Sequence, residues 1–146
     1  MISHKYVSEY IELYETGKIV LNEERIMLIN YLKCDILTRD DLRFDTSLID
    51  KCVTFIEKWH FKLNPFQKFL IAFVFLFDEY KDVYFDQHFW MMARGAGKNG
   101  LISGLVHFFI SELHGIENYN VSVVANTEKQ AKTSFIDVFE KNKKHE

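Results

Sequence analysis

The stretch His88-Phe89-Trp90-Met91-Met92-Ala93-Arg94-Gly95-Ala96-Gly97-Lys98-Asn99-Gly100 decides how this chain is read. An apolar run enters a glycine-punctuated turn and leaves it on Gly97-Lys98. Leu101, Ile102, Leu105, Val106 and Phe109 then recur at helical spacing. Strand, loop and helix in that order are the parts of a phosphate-binding loop. The usual spacing, Gly, four residues, Gly-Lys, then Ser or Thr, is met in part. Gly97 and Lys98 fit it, Met92 stands where the first glycine would be, and Asn99 stands where a magnesium-binding hydroxyl would be.

A phosphate needs converging donors and a positive charge. Gly95, Ala96 and Gly97 are small, so their backbone N–H groups can wrap an anion closely, and the helix opening near Lys98 adds its N-terminal dipole. Lys98 would reach the β- and γ-phosphate oxygens as a point charge, and Arg94 would add a bidentate contact to the γ-phosphate. The plainer alternative is a strand-to-helix turn that uses its glycines for geometry only. Gln67 is a second candidate, about thirty residues earlier in the sequence. Its amide matches the donor and acceptor edges of adenine, although a Gln in the first turn of a helix is often no more than a surface residue. Asn126, Thr127 and Gln130 follow the second expected strand, at the end of a parallel sheet where ligands collect. Helix capping is the alternative role for Thr127.

Working outward, Ser3 is placed to cap a first helix running to about Glu15, with Gly17 as its left-handed stop. Asn22-Glu23-Glu24 opens a second, its acids at the positive end of the helix dipole. Thr38 to Asp45 is charged and reads as a loop. Leu48, Ile49, Cys52, Val53, Ile56 and Trp59 give an amphipathic third helix from about Thr46. Asn64-Pro65 opens a fourth, expected to reach Tyr80 and to be nearly all buried. Val83–Phe85 reads as a short strand, Phe89–Ala93 as the strand feeding the loop, and the helix after it runs from Lys98 to about Leu113. Val121-Ser122-Val123-Val124-Ala125 is β-branched and reads as a buried strand. Thr127-Glu128-Lys129-Gln130 is a T-x-x-Q capping box opening a final helix.

The expected fold class is therefore α/β: a helical region over residues 1–62, then over 63–146 the start of a phosphate-loop domain with a right-handed βαβ unit and parallel strands. Two parallel strands alone leave edges that α/β proteins normally cover, so the sheet is expected to be incomplete and the chain a fragment or truncated product.

Composition narrows the function classes. The chain has 146 residues, 48% hydrophobic and 27% charged, which suits one folded domain with a sizeable core. A net charge of −3 gives no overall pull toward nucleic-acid phosphates. The basic run Lys141-Asn142-Lys143-Lys144 reads as a solvated helix end. Cys34 and Cys52 lie on separate expected helices without a paired motif and read as free thiols in a reducing compartment. The longest apolar run, Phe69 to Phe77, is nine residues, far short of the roughly 20 that span a bilayer. The six histidines, His4, His60, His88, His107, His114 and His145, show no zinc spacing.

The order of these features resembles a known family, the large subunit of tailed-bacteriophage terminases. Leu63-Asn64-Pro65-Phe66-Gln67 is similar to that family's L-x-P-[WF]-Q adenine motif. Ala93-Arg94-Gly95-Ala96-Gly97-Lys98-Asn99 is similar to its A-R-x-x-G-K-[ST] variant phosphate loop, which commonly lacks the first glycine and carries an Arg. Val123-Val124-Ala125-Asn126-Thr127-Glu128-Lys129-Gln130-Ala131 resembles its second ATPase strand and the turn after it.

The resemblance implies an ATP- and Mg²⁺-dependent motor that packages double-stranded DNA into procapsids as a ring on the portal protein. It further implies a small terminase subunit as partner, a nuclease in the full-length protein, and a place in the host bacterial cytoplasm and transiently on the procapsid portal. By the same resemblance Gln67 would touch adenine, Gly95, Ala96, Gly97 and Lys98 would hold the phosphates, and Lys98 and Arg94 would serve catalysis, with Arg94 sensing the γ-phosphate. Asn99 departs from the pattern at the metal-binding position. The apolar strand ending in Asp-Glu and the nuclease acids are absent from these residues, so the chain alone is expected not to turn over ATP. A helicase-type ATPase and a non-catalytic α-rich interaction module from a decayed prophage gene are the competing readings.

Overall fold

The computed structural model describes residues 1–143, with only the backbone of Ser134. Lys144 of the basic run and His145 lie outside the described residues. The chain is α-rich. Among the described residues the helices are α1 (Lys5–Glu15), α2 (Glu23–Tyr31), α3 (Thr46–Trp59), α4 (Pro65–Val74), α5 (Lys98–Phe109) and α6 (Glu128–Lys143), and the two short strands are β1 (Arg43–Phe44) and β2 (Leu76–Phe77). The chain divides into two compact units, one of residues 1–49 and 64–88, the other of residues 50–63 and 89 onward. These ranges interleave along the sequence.

In the first unit the termini of the helices explain their positions. His4 caps α1, accepting from the Tyr6 N–H on Nδ1 at 3.4 Å, one residue later than the Ser3 expected. Asn22 caps α2, and Glu23 and Glu24 sit in its first turn, as the sequence suggested. The helix continues into a π-helical turn, Leu32–Ile36. Lys33 points outward and pairs with Glu15.

Helices α1 and α4 pack together through aromatic rings. Tyr10 lies 4.8 Å from Phe69 and 5.6 Å from Phe66, ring centre to ring centre, and the Arg25 guanidinium sits 4.3 Å over Phe66. Burial raises the Tyr10 hydroxyl above its usual pKa, with Arg25 opposing the rise.

Helix α4 stops at Val74, not Tyr80. Leu76 and Phe77 leave it to pair antiparallel with Phe44 and Arg43, so β1 falls inside the charged segment expected to be a loop. Side-chain hydrophobicity cannot distinguish a buried helix from a buried strand, and here the switch occurs within one apolar run. Phe77 also bridges Val83, the only pairing made by the Val83–Phe85 segment among the described residues. The turn between them is held by Asp78, whose carboxylate accepts from the Tyr80 and Asp82 N–H groups at 2.9 and 3.0 Å.

The second unit contains the rest of α3, the segment after it, α5 and α6. Its core includes Phe55, Ile56, Leu101, Leu105, Phe108 and Val138. Burying a ring such as Phe108 removes enough apolar surface to contribute about 2–3 kcal/mol. Helix α5 ends at Phe109, and a 3₁₀ turn (Glu112–His114) carries the chain to Gly115, so the helix is shorter than the run to Leu113 suggests.

Among the described residues no parallel βαβ unit is formed. Phe89–Ala93 and Val121–Ala125 run without ladder pairing, and the one sheet among the described residues is the antiparallel β1–β2 pair. Phe89 is 90% exposed and Val124 is 91% exposed, so neither run is buried as a parallel strand must be. A pair of parallel strands has no hairpin to hold it and is slightly less stable per residue than an antiparallel one.

No helix among the described residues is long and apolar enough to cross a membrane. Cys34 is exposed and Cys52 buried, both as free thiols, and burial raises the Cys52 thiol far above its usual range.

Candidate functional site

The loop between the extended segment and α5 is built by two glycines in the left-handed region. Gly95 has φ +85° and Gly97 has φ +79°, values that a residue with a Cβ adopts only with strain. At Gly95 an added Cβ would meet nothing within 4 Å, so the constraint there is the backbone and not space. The Ala96 N–H donates to the Ala93 carbonyl at 3.2 Å and closes the turn.

Gly97 is the N-cap of α5, and no side chain caps the helix. The first intrahelical bond runs from the Leu101 N–H to the Gly97 carbonyl at 3.0 Å. The N–H groups of Lys98, Asn99 and Gly100 precede it and have no carbonyl four residues back within the helix. Lys98 and Asn99 are the first two residues of α5, and Arg94 lies in the turn before it. All of Ala93 through Asn99 is exposed. Two cationic side chains and a helix N-terminus therefore flank one open loop, which suits an anion such as phosphate.

A metal is a different matter. Magnesium takes oxygen ligands, and from Arg94 to Asn99 the only side-chain oxygen is the Asn99 amide. Among the described residues no group of three or more His, Cys, Asp or Glu is arranged to hold an ion. The loop residues alone do not make a magnesium site; phosphate oxygens would have to complete it.

Gln67 lies in the first unit, buried to 3% exposure in the first turn of α4. Its side-chain oxygen accepts from the Asn64 N–H at 3.1 Å, and the Asn64 side chain accepts from the Gln67 N–H at 3.0 Å. This is a complete capping box, with Pro65 at the first helical position. The sequence placed the helix start correctly, and the side-chain oxygen that an adenine would use is engaged by the cap. Thr127 also caps: its hydroxyl accepts from the Gln130 N–H at 3.3 Å, opening α6. Asn126 precedes it in an exposed bend, and Gln130 is exposed on the helix.

Sequence reasoning missed a polar chain in the second unit. His60 Nε2 lies 3.0 Å from His107 Nδ1, His107 Nε2 lies 2.7 Å from Asn142 Oδ1, and His60 Nδ1 faces Asp137 Oδ2 at 3.6 Å. The Phe55 ring meets His107 edge-on at 4.8 Å. Burial is the main cause that lowers the His60 pKa, to about 4, with Lys141 and His107 adding to the drop and Asp137 opposing it. The signal in the sequence is faint: His107 falls on the face of α5 that also carries Gly100 and Gly104, but its partner is 47 residues away.

Comparison with protein-family models, with curated proteins and with solved structures found no match to this chain.

Proposed function

We propose that this chain binds ATP through the Arg94–Asn99 loop, as the N-terminal part of a terminase large subunit, the motor that packages double-stranded phage DNA. The observation that carries the reading is the loop itself. Gly95 and Gly97 hold positive φ, Lys98 opens α5, and the N–H groups of residues 98–100 precede the first intrahelical bond with no side-chain cap. The three motif segments, in the order of the terminase pattern, support the extension from phosphate binding to the packaging motor.

In this reading Lys98 and Arg94 neutralise the β- and γ-phosphates, and the α5 N-terminus orients them. Mg²⁺ would be held between phosphate oxygens and the Asn99 amide and would supply charge neutralisation. Portal protein, small terminase subunit and a ring of copies belong to the full-length motor, as does nuclease activity. The chain by itself binds ATP weakly and does not turn it over.

The test is titration of wild type and Lys98→Ala with a non-hydrolysable ATP analogue and Mg²⁺. Saturable binding by wild type, lost in Lys98→Ala, is expected. Equal behaviour of the two would overturn the reading. Sustained ATP turnover by the purified chain, abolished by Lys98→Ala, would overturn the claim of inactivity.

A second reading, a non-catalytic α-rich interaction module, is favoured by one observation: both expected strands are unpaired, and the exposed Val124 and Phe135 leave apolar surface uncovered. Equal binding behaviour of wild type and Lys98→Ala would favour it.

A further inference from the structure

The last turn of α3 and the segment after it grip α5 at three levels along one face. A Cβ added to Gly104 would stand 3.0 Å from Ile56 Cγ1 and Cγ2, and one added to Gly100 would stand 2.9 Å from Phe61 Cε1. His107 is bonded to His60. Gly100, Gly104 and His107 recur at four and seven residues, which is one side of a helix. Two glycines on that side let the helix come closer than any side chain would permit.

Phe61 is itself held. The N–H groups of His60 and Phe61 both donate to the Ile56 carbonyl, at 2.8 and 3.2 Å. The Leu63 N–H donates to the Glu57 carboxylate at 3.1 Å, and Leu63 is buried. The Phe61 ring is therefore presented from a braced turn. Its seat, Gly100, is two residues past Lys98, in the turn of α5 whose N–H groups open toward the loop.

We propose that Phe61 is a positioning residue for the phosphate loop: its ring, seated on Gly100, fixes the direction of the first turn of α5. The N–H groups of residues 98–100 and the Lys98 side chain then keep one orientation. The inference rests on the phosphate-loop reading and adds a residue that the motif does not contain. Ile56, on Gly104 one turn farther along, holds the same helix at a distance from the loop, so its loss affects packing without turning the helix end.

The experiment measures affinity for a non-hydrolysable ATP analogue with Mg²⁺, together with thermal stability, in wild type, Phe61→Leu, Gly100→Val and Ile56→Val. Phe61→Leu and Gly100→Val are expected to weaken binding by roughly tenfold, because displacement of converging groups by a fraction of an ångström is costly. Ile56→Val is expected to lower the melting temperature and leave affinity at the wild-type value. In amide NMR spectra, Phe61→Leu is expected to shift the Gly95 and Gly97 signals more than Ile56→Val does. If wild-type binding is lost in Lys98→Ala but unchanged in Phe61→Leu and Gly100→Val, the positioning role is wrong and the phosphate site stands. Affinity that follows melting temperature across all three variants would also overturn it. A wild type that binds no analogue would remove the phosphate reading and this inference together.

Discussion

His60 Nε2 lies 3.0 Å from His107 Nδ1, and the pair joins the segment after α3 to α5. With the Asn142 amide oxygen as acceptor, two neutral imidazoles satisfy the short contacts in one way: His60 donates from Nε2 to His107 Nδ1, and His107 donates from Nε2 to that oxygen at 2.7 Å. His60 Nδ1 then faces the Asp137 carboxylate without a proton, in keeping with the long 3.6 Å separation. The His60 side chain is only 2% exposed, and its burial opposes a charge there.

Acid should therefore weaken this unit. His60 takes up a proton at about pH 4 when folded and near its ordinary value of about 6.5 when unfolded. Between those values the unfolded chain holds more protons, so stability rises with pH across that window and gains nothing more from His60 above it. With solvent screening allowed for, the loss from pH 7 to pH 4 is about 2 kcal/mol. His114, also lowered chiefly by burial, acts in the same direction in this unit, and His88 does so in the first unit. Urea unfolding of wild type and His60→Gln at pH 7, 5.5 and 4.5 isolates the His60 share, since only wild type loses it. Parallel curves for the two proteins would contradict the assignment.

Asn142→Ala should loosen α6 selectively. The variant removes the acceptor of the His107 Nε2 hydrogen, a loss of about 1 kcal/mol. Hydrogen exchange of the α6 amides should speed up, while α1 and α4, in the other unit, keep wild-type protection. Uniform loss of protection in both units would argue that the effect is global.

Three helix starts were legible in this sequence, because each has a local chemical marker. Asn22 and Asn64 cap where expected, Pro65 follows in place, and Thr127 opens α6. Strands were not legible, because pairing is decided by a partner. The β-branched Val121–Ala125 run has the composition of a buried strand and finds none, whereas Leu76-Phe77, inside an apolar run with helical length, finds Arg43-Phe44. The loop glycines were read for their small size, and the positive φ that Gly95 and Gly97 hold is a finding of the structure. Neither the Phe61 seat nor the histidine pair was visible, since each depends on contacts between residues about forty or more positions apart.

Gln67 offers a separation of its two readings. Gln67→Ala removes half of the capping box and should lower stability by about 1 kcal/mol. Gln67→Glu keeps an acceptor for the Asn64 N–H, so stability should be retained. A carboxylate cannot donate to adenine, so under the adenine reading Gln67→Glu should lose preference for ATP over GTP analogues with the melting temperature unchanged. If Gln67→Glu keeps both stability and base preference, the residue is a cap and nothing more.

Asn99 is where metal dependence should be decided. It is the second residue of α5, exposed, and its amide reaches farther than a hydroxyl would from the same backbone position. Magnesium prefers near-ideal octahedral geometry at about 2.1 Å and tolerates a displaced ligand poorly. Asn99→Thr puts a short oxygen at that place and should increase the ratio of analogue affinity with Mg²⁺ to affinity with EDTA, by on the order of tenfold for a ligand gained near 1.4 kcal/mol. Lys98→Ala in the same background should abolish binding under both conditions, because the lysine charge acts with or without the metal. An unchanged ratio in Asn99→Thr would mean that the α5 N-terminus does not present this position to the metal, and the phosphates alone would then carry whatever Mg²⁺ dependence the wild type has.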